Sequence, residues 1–504
     1  MKKIFLTLCA FFCTIQQSFA FNIDATIEKY VSPVSNKVSS LMFFPITIAG
    51  VEIPIIILWI LAAGLFFTFY LRWIGFWGLK HSFEVLQKPK EKNGAEGEIS
   101  PLGALMAALS GTVGLGTIAG VAISISIGGP GAAFWIMFGA ILGMTLKFAE
   151  VSLSLKYRKF LPDGTIAGGP MHFIAHGLTR RKMRWLGQPL AVIFAYLCIG
   201  GALTGGNMIQ INQTTAQIIN ITGGETGFLQ GFNWVIGLLC AILLGVIIIG
   251  GVKAITKVAM KVVPFMIYLY LFAGIIILIA NWHNLPHTAY VMIKEAFFPS
   301  SVAGGIVGIM IIGMRRSVQT NEAGTGSAPI VYAPAQTDEP ISQGFIALIE
   351  PFLTGLVCLL SACIIVSSGV YEGYTKGVNG IQLTSSAFES IFPWFKYVLS
   401  VIVILFALTT VISWAYYGQK AWNYIMGEGQ KRTLFYQIFF LTFTVIGSVM
   451  NVKTIIDLTD SMMLGMAVPT CLAMYFMAGE LKEDLKNYCK KYEVGLKFNK
   501  VWFK

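Results

Sequence analysis

Apolar residues run along this chain in long stretches rather than alternating with polar ones. Eleven such segments follow one another, roughly 53–73, 101–127, 133–155, 190–211, 234–251, 262–279, 302–314, 346–368, 394–414, 434–450 and 455–476. Stretches of about 20 apolar residues match the roughly 30 Å hydrocarbon thickness of a bilayer. The pattern therefore predicts an all-α polytopic membrane protein with 11 transmembrane helices. The segment from Val302 is short and interrupted by glycine. Ahead of them all, Lys2 and Lys3, an apolar run from Ile4 to Cys13 and the small residues Ser18 and Ala20 predict a signal peptide over 1–20.

Composition agrees on the solvent. The chain has 504 residues, of which 56% are hydrophobic and 12% charged, with a mean hydropathy of +0.72; an ordinary soluble domain is about 25% charged. Of the 36 Lys and Arg, 27 fall in alternate loops and the tail from Lys482, against six in the other loops. By the positive-inside rule this predicts an N-terminus outside and a C-terminus in the cytoplasm. It also explains the net charge of +12 as topology, with a lipid bilayer and no nucleic acid as partner. Cys198, Cys240, Cys358, Cys363 and Cys471 lie singly in apolar runs, without disulfide or metal spacing.

The spans divide into halves. Residues 21–99 hold an outer segment, one helix and a linker; 100–282 and 300–479 hold five helices each; 480–504 is a basic tail. Five spans reverse direction before the next five, so the halves are expected to be inverted repeats, with the binding site at discontinuous helices. Two such helices are expected. The first is Ser110-Gly111-Thr112-Val113-Gly114-Leu115-Gly116-Thr117-Ile118-Ala119-Gly120, where each glycine weakens the helix by about 1 kcal/mol. Unwinding there exposes backbone amides suited to a carboxylate and carbonyls suited to a cation; close packing through small residues is the competing explanation. The second is Ala303-Gly304-Gly305-Ile306-Val307-Gly308.

Several runs together carry a resemblance: Gly128-Gly129-Pro130-Gly131-Ala132, Lys147-Phe148-Ala149-Glu150-Val151, Gly206-Asn207-Met208-Ile209-Gln210, Asn321-Glu322-Ala323-Gly324-Thr325-Gly326-Ser327-Ala328-Pro329, Glu350-Pro351-Phe352 and Ile412-Ser413-Trp414-Ala415-Tyr416-Tyr417-Gly418. From about Ile53 to Gly479 the chain resembles the alanine or glycine:cation symporter family, also called sodium:alanine symporters. The resemblance implies a leucine-transporter-like fold with one additional N-terminal helix. It implies symport of a small neutral amino acid, alanine or glycine, with sodium, at a bacterial inner membrane and without a cofactor.

Carried over by position, the resemblance implies substrate contacts at Thr112, Gly114, Leu115, Gly116, Gln210, Gly305, Ile306 and Trp414. Sodium is expected at Ser110, Val113, Thr409 and Thr410, a neutral all-oxygen set suited to a hard monovalent cation, with a second ion near Thr112 and Thr117. The family usually has Thr where this chain has Leu115 and Asn where it has Thr117, which puts ion stoichiometry or substrate preference in question.

Charges inside a membrane are costly and need partners or a role. Lys147 and Glu150, three apart on one helix face, are expected to pair with each other. Glu322 is expected in an inner gate or its capping network, and Glu350 and Asp460 as structural groups or, under proton coupling, as proton carriers. Neither a Gly-x-Ser-x-Gly elbow nor a His-Glu-x-x-His pair is present, so no enzyme is expected. A channel is the remaining rival, but no repeated pore loop is found.

Overall fold

The computed structural model describes residues 23–48, 51–87, 96–162, 164–299, 305–373 and 380–494. The expected signal peptide, Ala303, Gly304 and the end of the basic tail lie outside the described residues.

The first elements among the described residues are α1 (Ile23–Met42) and a hairpin of β1 (Pro45–Ile48) and β2 (Val51–Pro54), in which Ile46 faces Ile53. Next come α2 (Ile55–Tyr70) and α3 (Ile74–Gln87), bent by 70° where Arg72 and Trp73 take positive φ. Then follow α4 (Pro101–Thr112), α5 (Ala119–Gly128), α6 (Ala132–Lys156), the short hairpin β3 (Lys159–Phe160) and β4 (Ile166–Ala167), and α7 (Pro170–Arg180). A π turn at Thr204–Met208 joins α8 (Arg184–Leu203) to α9 (Ile209–Ile221). After α10 (Asn233–Ile248), α11 (Gly251–Ala280) and α12 (Leu285–Phe297) come α13 (Gly305–Asn321), α14 (Pro329–Tyr332), α15 (Pro340–Ala347) and α16 (Ile349–Ser367). The last elements are α17 (Ile381–Glu389), α18 (Phe395–Met426), α19 (Gln430–Val449) and α20 (Val452–Tyr492).

Among the described residues, seven helical rods are long and apolar enough to cross a membrane, and the bent pairs α2–α3 and α4–α5 each qualify when taken together. Burial sorts these helices. Around α18 pack α4, α8, α11 and α9, while α6 is enclosed by α2, α13, α15 and α16. By contrast α10 and α11 present Leu239, Val246, Tyr268 and Phe272 to the outside, as helices facing lipid do.

α4 starts at Pro101, whose missing N–H costs nothing in the first turn, and the Ser100 hydroxyl accepts from the Gly103 amide at 3.1 Å. It ends at Thr112 because Gly114 is extended (φ −122°, ψ −162°). A single 3-10 turn, Leu115–Thr117, intervenes before α5, and the axis bends by 57°.

In the described part of the expected second break, from Gly305 on, the chain is helical, and a break lies further along, at Glu322–Gly326. Residues 305–321 form one continuous helix, and Gly313 is a packing glycine: a Cβ there would sit 2.4 Å from that of Trp135. The chain leaves α13 at Glu322 (φ +53°), Gly324 (+86°) and Gly326 (+83°). Left-handed conformation is uncommon outside glycine, so Glu322 is held against its backbone preference by what surrounds it.

Arg315 and Arg316, expected in a loop, lie inside α13. They are accommodated there by Asp460 of α20, whose Oδ2 is 2.8 Å from an Arg315 nitrogen and 3.6 Å from one of Arg316.

Candidate functional site

The two breaks meet at a small cavity. Gly111, Thr112, Gly114 and Gly116 line it from the first break, Gln319 and Glu322 from the second, Gly205 and Gln210 from the π turn and α9, Thr410 and Trp414 from α18, and Met463 from α20. These residues come from both halves of the chain.

Each wall follows from local structure. Because the helix stops at Thr112, the Gly114 amide turns back to the Thr112 carbonyl at 3.0 Å, and the Ser110 carbonyl loses its usual i+4 donor. The Leu115 amide, released in the same way, donates to Gln210 Oε1 at 3.2 Å. Gln210 is itself fixed by donating from Nε2 to the Gly205 carbonyl at 2.9 Å, so its side chain is a neutral acceptor held against a freed amide. Glycine is required where Gly206 meets Trp414, since a Cβ would come within 2.1 Å of the ring. At Gly114 a Cβ would meet Thr410 Oγ1 at 2.3 Å.

Of the residues named as substrate contacts, Thr112, Gly114, Gly116, Gln210 and Trp414 line the cavity, and Leu115 borders it through its amide. Gly305 and Ile306 do not. They form the first turn of α13, about 20 Å along the axis from Gln319 at 1.5 Å per residue, and Ile306 is 45% exposed.

The residues named for sodium divide as well. Thr410 is buried, lines the cavity, and its hydroxyl has no hydrogen-bond partner among the described residues. Thr409 turns away, donating to the Leu405 carbonyl at 2.9 Å beside Met266. The Ser110 hydroxyl donates to the Ala107 carbonyl at 2.8 Å and contacts Ser413. Thr117 donates to the Gly114 carbonyl at 2.7 Å, closing the first break on itself, while Thr112 bonds back to Ala108 at 3.1 Å.

The charged groups are arranged differently from the local expectation. Lys147 pairs with Glu350 of α16, Nζ to Oε1 3.2 Å, and not with Glu150. Helix spacing places Glu150 nearby, but the opposing helix brings a carboxylate into better reach. The Tyr332 hydroxyl donates to the other Glu350 oxygen at 3.0 Å. Glu322 accepts from Trp414 Nε1 at 3.0 Å and from the Ser327 hydroxyl. The second break thereby holds the aromatic wall of the cavity.

Gln319, Gly205 and Met463 line the cavity without having been singled out. Gln319, a polar residue two before Asn321 in the resemblance run, carried a usable signal; a methionine in an apolar helix carries none.

The sequence matches the sodium:alanine symporter family over residues 42–501, which leaves most of α1 outside the match. It is 33% identical to the sodium/alanine symporter of Methanococcus maripaludis over 86% of this chain and 94% of that protein. It is 31% identical to a probable sodium/glutamine symporter of Bacillus subtilis over 88% and 89%. Among solved structures, the crystal structure of MhsT in complex with L-phenylalanine is similar with a TM-score of 0.56 and 16% identity, covering 78% of this chain and 90% of that one; this likeness shows a leucine-transporter-like fold. With both breaks and the cavity between them in the region matched, this chain belongs to the sodium:alanine symporter family, a family of membrane transporters and not of enzymes.

Proposed function

We propose that this chain carries a small neutral amino acid, alanine or glycine, into the cytoplasm together with sodium, by alternating access around the cavity between the two breaks. The reading includes eleven spans built as one helix plus two inverted repeats of five, in a bacterial inner membrane with the N-terminus outside. One observation carries it: the unwound α4–α5 segment turns the Leu115 amide out of the helix to Gln210 in the cavity wall and leaves the Ser110 carbonyl, one residue before Gly111 in that wall, without its i+4 donor, beside a cavity that holds a threonine hydroxyl unpartnered among the described residues. A carboxylate fits the first, and a hard cation fits the other two.

In this mechanism the substrate carboxylate displaces Gln210 from the Leu115 amide and takes the neighbouring Gly116 amide as well. Sodium sits between Thr410 and the carbonyls of Ser110 and Val113. Trp414, pressed on Gly206 and held by Glu322, closes the side-chain end. Walls this close favour a hydrogen or methyl over a carboxamide, since overfilling a packed site costs about 1–3 kcal/mol. The relatives' names are consistent with sodium and an amino acid, and they differ in cargo: alanine in one, glutamine in another.

Uptake of labelled alanine and glutamine into proteoliposomes, with sodium and proton gradients imposed separately, tests the reading. Sodium-driven alanine uptake supports it. Uptake driven by a proton gradient alone removes sodium as the coupling ion, and glutamine preferred over alanine and glycine removes the substrate assignment.

The two neighbouring threonines separate cleanly. Thr410→Val is expected to raise the sodium concentration for half-maximal uptake about tenfold or more, the loss of one polar contact of about 1.5 kcal/mol or more. Thr409→Val, whose hydroxyl bonds within its own helix, is expected to leave it unchanged. Likewise Ile306→Ala, exposed at the far end of α13, is expected to keep alanine uptake within about twofold of the parent; a larger loss brings that helix end into the transport path.

A further inference from the structure

Behind the second break lies a group of buried charges that the mechanism above does not use in full. Lys147 and Glu150 come from α6, Glu350 from α16 and Glu322 from the turn after α13, and none is more than 1% exposed. Among the described residues, the other titratable groups facing them include Tyr332 beside Glu350, Tyr417 beside Glu322 and Glu350, Cys198 beside Glu322, and Cys471 beside Glu150. These are neutral at ordinary pH. Three carboxyl groups thus share one ammonium, and a buried charge without a partner is strongly destabilising. All three carboxylates cannot stay ionised together in such a place.

The hydrogen bonds distinguish them. Glu350 has Lys147 at 3.2 Å and the Tyr332 hydroxyl at 3.0 Å. Glu322 accepts from the Trp414 indole and from Ser327. Glu322 thus has two donors, whereas Glu350 has the Tyr332 hydroxyl on one oxygen and, beside the other, the charge of Lys147 without a completed hydrogen bond. Glu150 is fully buried, and neither of its oxygens completes a hydrogen bond among the described residues; its carboxyl is aimed at the backbone of Gly324 and Gly326. Among the described residues no three acidic, histidine or cysteine side chains converge as metal ligands.

We propose that Glu150 is a proton-binding site of this carrier, holding one proton taken from water while the turn at Glu322–Gly326 is packed over it and returning that proton to water when the turn lifts. The turn is the natural partner for such a step. It bonds Trp414 through Glu322, and its two glycines sit in left-handed conformation, so it repacks as a unit between discrete arrangements. Protonation of Glu150 then favours the packed turn and the closed aromatic wall, and its ionisation favours the lifted one. The coupling rests on the reading of this chain as an alternating-access carrier; the proton site itself does not.

Infrared spectroscopy of the purified full-length protein at neutral pH tests the site without transport. The expected result is a carbonyl band of a protonated carboxylic acid that disappears in Glu150→Gln, shifts in Glu150→Asp and persists in Glu322→Gln. No such band in the parent protein, or one that survives Glu150→Gln, overturns the proposal; the parent measurement stands even if a variant does not fold. Uptake then tests the coupling. At a fixed sodium gradient and equal pH on both sides, the parent rate is expected to vary with pH by up to about tenfold per unit and that of Glu150→Gln to be flat. An unaltered pH profile in Glu150→Gln overturns the coupling. If the band behaves as expected but neither alanine nor glycine is carried, the proposed cargo fails and the proton site stands.

Discussion

Replacing Lys147 by methionine is expected to lower the amount of folded protein in the membrane sharply. Lys147 is fully buried, its ammonium lies 3.2 Å from Glu350, and no other cation reaches the Glu150, Glu322 and Glu350 carboxyls among the described residues. Removing one partner of a buried pair typically costs about 3–5 kcal/mol because the other charge is stranded, a large part of a marginal stability of about 5–15 kcal/mol. The double change Lys147→Met with Glu350→Gln is expected to recover most of the loss, since it removes both charges and leaves an amide that still accepts from Tyr332. Quantifying monodisperse protein after detergent extraction checks both. Single and double variants equally depleted would mean that Lys147 serves another partner.

Gly206→Ala is expected to lower alanine uptake by up to about 100-fold, the equivalent of an overpacking cost of about 1–3 kcal/mol at the binding wall. The added methyl would lie 2.1 Å from Trp414 Cγ and 2.2 Å from its Cβ. The Trp414 Cβ is set by the backbone and no rotamer change moves it, so relieving the contact requires α18 to shift. That shift pulls the indole from Glu322, which accepts its N–H at 3.0 Å, and so disturbs the second break too. Uptake and sodium dependence measured in proteoliposomes, normalised to protein, decide the point. Uptake like that of the parent would show that Trp414 does not bound the substrate.

Some of this organisation is legible in the order of residues and some is not. Apolar stretches such as 133–155 and 394–414 coincide with α6 and α18 because a bilayer-length run has few alternatives. The first break is legible too: the glycines around Leu115 sit inside an apolar run, where unwinding needs a stated reason. The second break is misread for the same cause. Glycines near Gly305 draw attention, yet one of their number, Gly313, only lets α13 approach Trp135, while the turn is made by Glu322 with Gly324 and Gly326.

Charge partners are the other illegible part. Lys147 and Glu150 look paired by spacing, and Arg315 and Arg316 look like loop charges. Their partners, Glu350 and Asp460, lie far along the chain, so no local pattern reveals them. The spans and the first break therefore follow from apolar runs and glycine density, the walls at Gln210, Thr410 and Trp414 from the resemblance, and the hydrogen bonds that set each wall only from the packed structure.

On the proposed reading, one cavity holds an amino-acid carboxylate and a sodium ion side by side. Reciprocal binding to the purified protein tests it without vesicles: alanine affinity titrated against sodium, and sodium affinity titrated against alanine. Linkage requires the same factor in both directions. A shared tightening of about tenfold or more is expected, of the order of the 1–3 kcal/mol usual for coupled sites, largely lost in Thr410→Val. Alanine binding that is indifferent to sodium would contradict it.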